Sequence, residues 1–258
     1  ARRIAHEIKN PLTPIQLSAE RLKRRFTREI TSDPETFIQC ADTIVRHVGD
    51  IGRMVDEFSA FARMPQPVIR PEDVGRVARE ALVLQRTARP QIEWVTQIPE
   101  RGPVAACDRR LLGQALTNLL QNAADAVGMR AEAAQAQAEH VEAGRAGGAP
   151  ESEAVAAETA AHIGRIEVRV WTEDDAVVVQ VADDGVGLPG EDRGRLTEPY
   201  VTYKPKGTGL GLAIVKKIME DQGGTLLLDD RAAAADWPGG GAVATLRWPL
   251  KDADNAAA

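Results

Sequence analysis

Lys204-Pro205-Lys206-Gly207-Thr208-Gly209-Leu210-Gly211-Leu212-Ala213-Ile214-Val215 is the stretch on which the fold turns. Its glycines open an amphipathic run that predicts a helix over 209–221. Backbone N–H groups and the helix dipole at such a start favour an anion, phosphate above all. Lys204 and Lys206 add positive charge beside it. No Gly-Lys-Ser/Thr follows, so this is not a P-loop. It comes late in the chain with no βαβ unit around it, so it is not a dinucleotide fingerprint. Working outward, alternating apolar patterns predict strands at 166–171 and 176–182 before it. Two more, at 225–228 and 242–248, follow around Gly239-Gly240-Gly241. Further upstream lie a helix-like 73–88, strands at 91–96 and 104–107, and a helix over 109–127 capped by Asp108. The sum is an α+β sandwich, with helices gathered on one face of a mixed sheet.

The first 64 residues have another texture. Leu12, Ile15, Ala19, Leu22 and Phe26 recur at steps of three and four, a bundle seam. Ser32 or Asp33 caps a second helix, which repeats the seam at Ile44, Val48, Ile51, Val55 and Phe58. Two such helices make a hairpin, and a lone hairpin leaves apolar stripe in water. Dimerisation into a four-helix bundle is the expected remedy. Residues 65–71 read as a Pro-rich linker, 72–250 as the sandwich domain and 251–258 as a tail. Thirteen of the 34 residues in 129–162 are Ala, with no Leu, Ile or Phe. That segment is expected to be a disordered or frayed-helical insertion.

The whole chain has 258 residues, a net charge of −6 and 4% aromatic residues. This composition argues against nucleic-acid binding, which wants a basic or stacking surface. Two cysteines, Cys40 and Cys107, make no disulfide framework. No apolar run is long enough to span a membrane, and no membrane contact is expected of this stretch. It starts at Ala1-Arg2-Arg3-Ile4 in helical register, and reads as a piece of something longer. The cluster Arg21, Lys23, Arg24, Arg25 and Arg28 reads as a solvated helix face.

Four constellations carry chemistry. In His6-Glu7-Ile8-Lys9-Asn10-Pro11 an imidazole has a carboxylate beside it and an amide one turn on. A carboxylate fixes the tautomer and stabilises the imidazolium of a nucleophilic histidine. A surface His beside a surface Glu is the plainer reading of the same residues. Pro11 and Pro14 favour a bend below His6. Asn118, Asn122 and Asp125 share one face of the 109–127 helix. Polar groups on an apolar helix demand partners: a ligand with Mg²⁺ and phosphates, or an internal network. Asp183-Asp184-Gly185-Val186-Gly187 follows a strand, where glycines admit a flat ligand and a buried carboxylate can accept from an amine. The loop quoted first is the fourth. No His pair has convincing metal-ligand spacing.

Together, and in this order, these motifs resemble the catalytic core of bacterial sensor histidine kinases. His6 to Pro11 is similar to the H-box, Asn118 to Ala126 to the N-box, and Asp183 to Gly187 to the first glycine box. Leu196-Thr197-Glu198-Pro199-Tyr200 is similar to the F-box, and Gly207 to Leu212 to the second glycine box. The stretches 5–25 and 198–215 resemble the NtrY-type nitrogen-regulation sensors more narrowly. The resemblance implies an ATP-binding domain of the histidine-kinase, gyrase and Hsp90 type behind a dimeric phosphotransfer hairpin. It implies that His6 takes the γ-phosphoryl of ATP with Glu7 as acid–base partner, and that Asn10 orients water in dephosphorylation. Asn122 would ligate Mg²⁺, Asn118 would line the phosphate site, and Asp183 would bind the adenine amine. Gly185, Gly187 and the loop Gly207, Thr208, Gly209, Leu210 and Gly211 would shape the pocket. Residues 188–206 would be the ATP lid, with Lys204 a phosphate ligand. The phosphoryl group would pass to an Asp in the receiver domain of a response regulator. The parent protein would be anchored in the bacterial inner membrane, with this part in the cytoplasm.

Two departures matter. Asp125 stands where the wider family carries a basic residue, so compensating charge is expected from Lys204 or Lys206. Gyrase-type and Hsp90-type ATPases place a Glu one turn before the Mg²⁺ asparagine. Here that position is Asn118, and an amide is not a general base. A stand-alone ATPase and a non-catalytic ATP-binding scaffold are the competing readings. The first predicts hydrolysis indifferent to His6, the second nucleotide binding without phosphoprotein.

Overall fold

The computed structural model describes residues 2–61, 64–144, 162–204, 207–232 and 240–250. It divides into two compact units. One comprises 1–65 with 197–210, the other 66–196 with 211–258.

The first unit is built on a helical hairpin of α1 (Arg2–Phe26) and α2 (Pro34–Phe61). Asp33 is the residue that caps α2: its carboxylate accepts from the Thr36 N–H at 3.2 Å. Its bonds to Thr36 hold the carboxyl below its ordinary value. Lys23 pairs with Asp42 at 2.5 Å, and Lys9 pairs with Asp56. These two pairs put the helices antiparallel. Helix α1 stays helical through Pro11 and Pro14. Of the predicted seam, Ala19, Val48 and Val55 are buried between the helices. Ile15, Leu22, Ile44 and Ile51 are exposed. An apolar groove lined by Ile15, Leu22, Phe37, Cys40 and Ile44 runs along the same pair.

The second unit is an α/β sandwich. Its sheet has the order β2-β4-β5-β7-β6. These strands are β2 (Ile92–Gln97), β4 (Gly164–Glu173), β5 (Ala176–Asp183), β6 (Thr225–Arg231) and β7 (Gly241–Pro249). The β2–β4 pair is parallel and the others antiparallel. Three helices pack with it: α3 (Val74–Ala88), α4 (Arg109–Gly144) and α5 (Gly211–Asp221). Helix α4 is the central one, touching α3, α5, β4 and β5. Leu112, Leu116, Leu120 and Val127 of α4 are fully buried, as are Ile166, Val177 and Val179 of the sheet. Each such side chain contributes roughly 1.5–3 kcal/mol of burial. Glu167 is also buried, but it is paired: it accepts from Gln97 at 3.0 Å, Arg169 at 2.8 Å and Arg231 at 3.2 Å. A buried carboxylate is tolerated on such terms.

Two elements differ from the sequence reading. The end of the expected linker is a strand, β1 (Arg70–Asp73), which pairs antiparallel with β3 (Val104–Cys107). Its single proline, Pro71, hid it, since proline argues against strands that pair on both sides. The helix expected to stop at 127 runs on to Gly144. Alanine is the best helix former, and it carries the helix past the core without burial. The rest of the expected insertion, 145–161, lies outside the described residues, as does the expected tail 251–258. No helix among the described residues is long and apolar enough to cross a membrane.

Asp108 ties this unit together. Its carboxylate accepts from the N–H groups of Arg110 at 2.9 Å, Leu111 at 3.1 Å and Val68 at 2.9 Å. Its own N–H donates to Gln222 at 2.7 Å, just beyond α5. Burial pushes its carboxyl up, but the three N–H bonds outweigh it and the net shift is downward. A carboxyl depressed on folding stabilises the protein above its unfolded value and ceases to do so as pH falls through the folded one. Asp108→Ala is therefore expected to cost about 1–2 kcal/mol in urea unfolding at pH 7. The gap between wild type and variant should narrow as pH falls through the lowered folded value of this carboxyl. An unchanged urea midpoint would refute the cap.

Candidate active site

Helix α4 supplies one wall of the site. Its buried apolar face sets the azimuth, and that leaves Asn118, Asn122 and Asp125 half-buried on the rim. These three were expected on a core face; they stand at its border. The Asn118 amide donates to the carbonyl of Gly211 at 3.4 Å, where α5 begins. Asn122 also faces Gly211, its amide atoms 3.6–3.9 Å from where a Cβ there would stand. Asp125 accepts from Gln121 at 2.8 Å and from Arg89 at 3.2 Å.

The end of β5 supplies the second wall. Asp183 is buried, and its carboxylate accepts from the Gly185 N–H at 2.9 Å. Gly185 lies so close to α4 that a Cβ would stand 2.5 Å from both the Cβ and the carbonyl carbon of Ala126. Val186 donates its N–H to the Ala126 carbonyl at 3.3 Å. Glycine at 185 thus lets the loop lie on the helix, a requirement of close approach. Gly187 follows with φ +75°. Asp184 secures the loop from behind, accepting from Arg130 at 2.8 Å and from the Arg165 N–H at 2.9 Å.

Asn118, Asn122, Asp125, Asp183, Gly185, Gly187 and Gly211 therefore come together in the second unit. Lys204, Gly207, Thr208, Gly209 and Leu210 belong to the first unit. Within it, Gly209 takes φ +72° and its carbonyl accepts from the Tyr200 N–H at 3.0 Å. Lys204 accepts at its carbonyl from the Gly207 N–H at 3.1 Å, and the Thr208 hydroxyl accepts from the Leu210 N–H at 3.4 Å. Leu210 is fully buried. The helix expected from 209 starts at Gly211. Lys206 lies outside the described residues. His6 is in α1, but its side chain also lies outside them; Glu7 and Asn10 are exposed on the same helix.

Among the described residues no group of three His, Cys, Asp or Glu side chains could cage a metal. Of the two free cysteines, Cys40 is exposed and Cys107 buried. Burial, with Glu72 and Asp108 nearby, pushes the Cys107 thiol up to about 12.

Comparison with known proteins agrees with this layout. Residues 107–252 match the family described as histidine kinase-, DNA gyrase B-, and HSP90-like ATPase. Residues 1–67 match the His Kinase A phospho-acceptor domain. The chain belongs to the sensor histidine kinases. It is 51% identical to the nitrogen regulation protein NtrY of Azorhizobium caulinodans, over 89% of this chain and 26% of that protein. It is 33% identical to a putative sensor histidine kinase, NtrY-like, of Rickettsia conorii, over 98% of this chain and 36% of that one. It thus spans about a quarter to a third of the length of these relatives. The mycobacterial sensor histidine kinase MprB is similar in structure, with a TM-score of 0.51 and 27% identity. That match covers 70% of this chain and 97% of the MprB chain. Histidine kinase ThkA, solved in complex with the response regulator protein TrrA, shares the fold with a TM-score of 0.60 at 23% identity. It covers 97% of this chain and 60% of that one.

The sequence missed Arg89, 36 residues from its partner Asp125 and outside every motif. Its one local signal is its place before Pro90, where a helix must end.

A substitution at Gly185 tests how closely this loop lies on α4. Gly185→Ala is expected to lower thermal stability by an amount equivalent to about 1–3 kcal/mol, because its clash is partly with backbone and cannot be repacked. A melting temperature equal to wild type would show that the loop stands clear of α4.

Proposed function

We propose that this chain is an ATP-dependent protein-histidine kinase. The His6 imidazole attacks the γ-phosphorus of ATP, a nitrogen–phosphorus bond forms, and the bond to the bridging oxygen breaks to release ADP. Glu7 takes the proton that His6 loses, and Asn10 orients water when the enzyme removes phosphate from its partner regulator. The phosphoryl group then passes to an Asp of a response regulator receiver domain. Positioning and charge neutralisation carry most of such a transfer.

One observation carries the reading: a phospho-acceptor hairpin bearing His6-Glu7 stands on the same chain as a nucleotide-type site. The position one turn before Asn122 in that site is an amide turned to Gly211, not a carboxylate. Such a site favours holding ATP for an incoming imidazole over activating water. Asp183 receives the adenine amine, and Gly185 and Gly187 let the base lie against the loop. Asn118 lines the phosphates, and Gly211 opens the helix whose dipole meets them. Residues 188–206 form the ATP lid of the same reading, with Lys204 a phosphate ligand, and Gly207, Thr208, Gly209, Leu210 and Gly211 shape the pocket.

Mg²⁺ fits what is present. A single amide oxygen, Asn122 Oδ1, suits an ion that keeps its waters and takes phosphate oxygens, and Mg²⁺ does both. It would neutralise phosphate charge there.

The working form is a homodimer. Ile8, Ile15, Leu22, Ile44, Ile51 and Met54 are exposed on the hairpin. Burying them against a second hairpin completes a four-helix bundle. The setting of this reading is the cytoplasmic side of a membrane-anchored sensor, and the similarity to a nitrogen regulation protein supports a nitrogen-regulation-like role.

The test incubates the chain with Mg²⁺ and γ-labelled ATP. Acid-labile, base-stable label on protein is expected, and it should vanish in both His6→Gln and Asn122→Ala. Free phosphate without labelled protein, unchanged in His6→Gln, would mean a stand-alone ATPase instead. Nucleotide binding with neither product would mean a scaffold. For the dimer, Ile15→Glu combined with Ile51→Glu should halve the mass in sedimentation equilibrium. A wild-type chain that sediments as a monomer would overturn that assignment.

A further inference from the structure

Asp125 is a carboxylate on the face of α4 that carries Asn118 and Asn122. Alone there it would repel a polyphosphate. It is not alone. The Arg89 guanidinium sits 3.2 Å from its Oδ1, and the Gln121 amide 2.8 Å from the same atom. Both members of the ion pair are about one-third exposed, Arg89 at 32% and Asp125 at 33%. The pair therefore lies at the rim of the face.

Arg89 is placed with unusual care for a surface residue. Its N–H closes α3, donating to the Gln85 carbonyl at 2.9 Å. Its carbonyl accepts from the Ile92 N–H at 3.2 Å and from the buried Trp94 indole at 3.2 Å. Arg86 is bound nearby, donating to the Trp94 carbonyl at 3.1 Å. Three backbone bonds thus fix where the side chain starts, and Asp125 with Gln121 fixes where it ends. A guanidinium has five N–H donors in a rigid fork, and the bond to Asp125 engages one nitrogen. A fork so anchored can present its other edge to phosphate oxygens.

We propose that Arg89 is a phosphate-binding residue of the nucleotide site, and that Asp125 is its positioning residue. The pair neutralises an acidic position on α4 and sets a guanidinium edge beside it, with the charge drawn from the end of α3. This rests on the nucleotide reading above and adds to it a cation from within the second unit. Lys204, by contrast, belongs to the first unit.

The experiment measures dissociation constants of the full chain for ATP, ADP and adenosine by calorimetry. It compares wild type with Arg89→Met, Arg89→Lys and the double variant Arg89→Met with Asp125→Lys. Arg89→Met, which keeps the apolar stem, should weaken ATP about tenfold and leave adenosine within about twofold, one lost charge-assisted contact being roughly that size. Arg89→Lys should recover part of the ATP affinity. The double variant places a cation directly on α4 and should recover most of it; it also carries the test if the single variant fails to fold. Equal losses for ATP and adenosine, or no loss of either, would overturn the proposal, as would a double variant no better than Arg89→Met. Wild-type chain that binds none of the three ligands would overturn the nucleotide reading itself.

Discussion

The apolar face of α4 cannot leave the core. Leu112, Leu116, Leu120 and Val127 are buried against the sheet and the neighbouring helices, and rotating the helix would expose them together. At roughly 1.5–3 kcal/mol each, their burial far exceeds what any rim hydrogen bond contributes. The azimuth of α4 is therefore fixed by grease, and its chemistry is hung on what remains. Asn118, Asn122 and Asp125 stand where they do because the other face has no choice. Gly185 lies on Ala126, Gly211 meets Asn118, and Arg89 meets Asp125, all by reference to that one helix.

The sandwich was legible because its elements are locally consistent. Strand β3 carries a clear apolar pattern and was read to the residue, and β2, β4 and β5 within about two residues at either end. Asp108 announced the start of α4, and the glycines around 185 announced a close approach. What could not be read was set by distance or by propensity without burial. The β1–β3 pairing joins segments more than thirty residues apart, and Pro71 disguises one of them. The Ala-rich end of α4 is helical through backbone preference alone, a signal that composition confuses with disorder.

The site was legible to a lesser degree. Its motifs are contiguous, so Asn118, Asn122 and Asp183 stood out as single letters in a pattern. Their exposure did not: a polar face on a core helix looks the same in sequence whether it is sealed or open. The association of Lys204 to Leu210 with the hairpin unit also left no trace in the pattern, where they seemed continuous with α5. The countercharge at Asp125 is the clearest case. Its partner is an arginine 36 residues away in the sequence and outside every motif.

Cys107 draws these threads into a practical consequence. At the end of β3 its side chain is fully buried and its thiol is pushed up to about 12, so the folded protein offers alkylating reagents almost no thiolate there. Only opening of the small β1–β3 ribbon restores an ordinary thiol. With the exposed Cys40 replaced, the rate at which Cys107 is alkylated is then a clock for the loosening of the segment that leads into α3 and α4. Nucleotides, salts or partner proteins that tighten or slacken this end of the sandwich would register as a slower or faster clock.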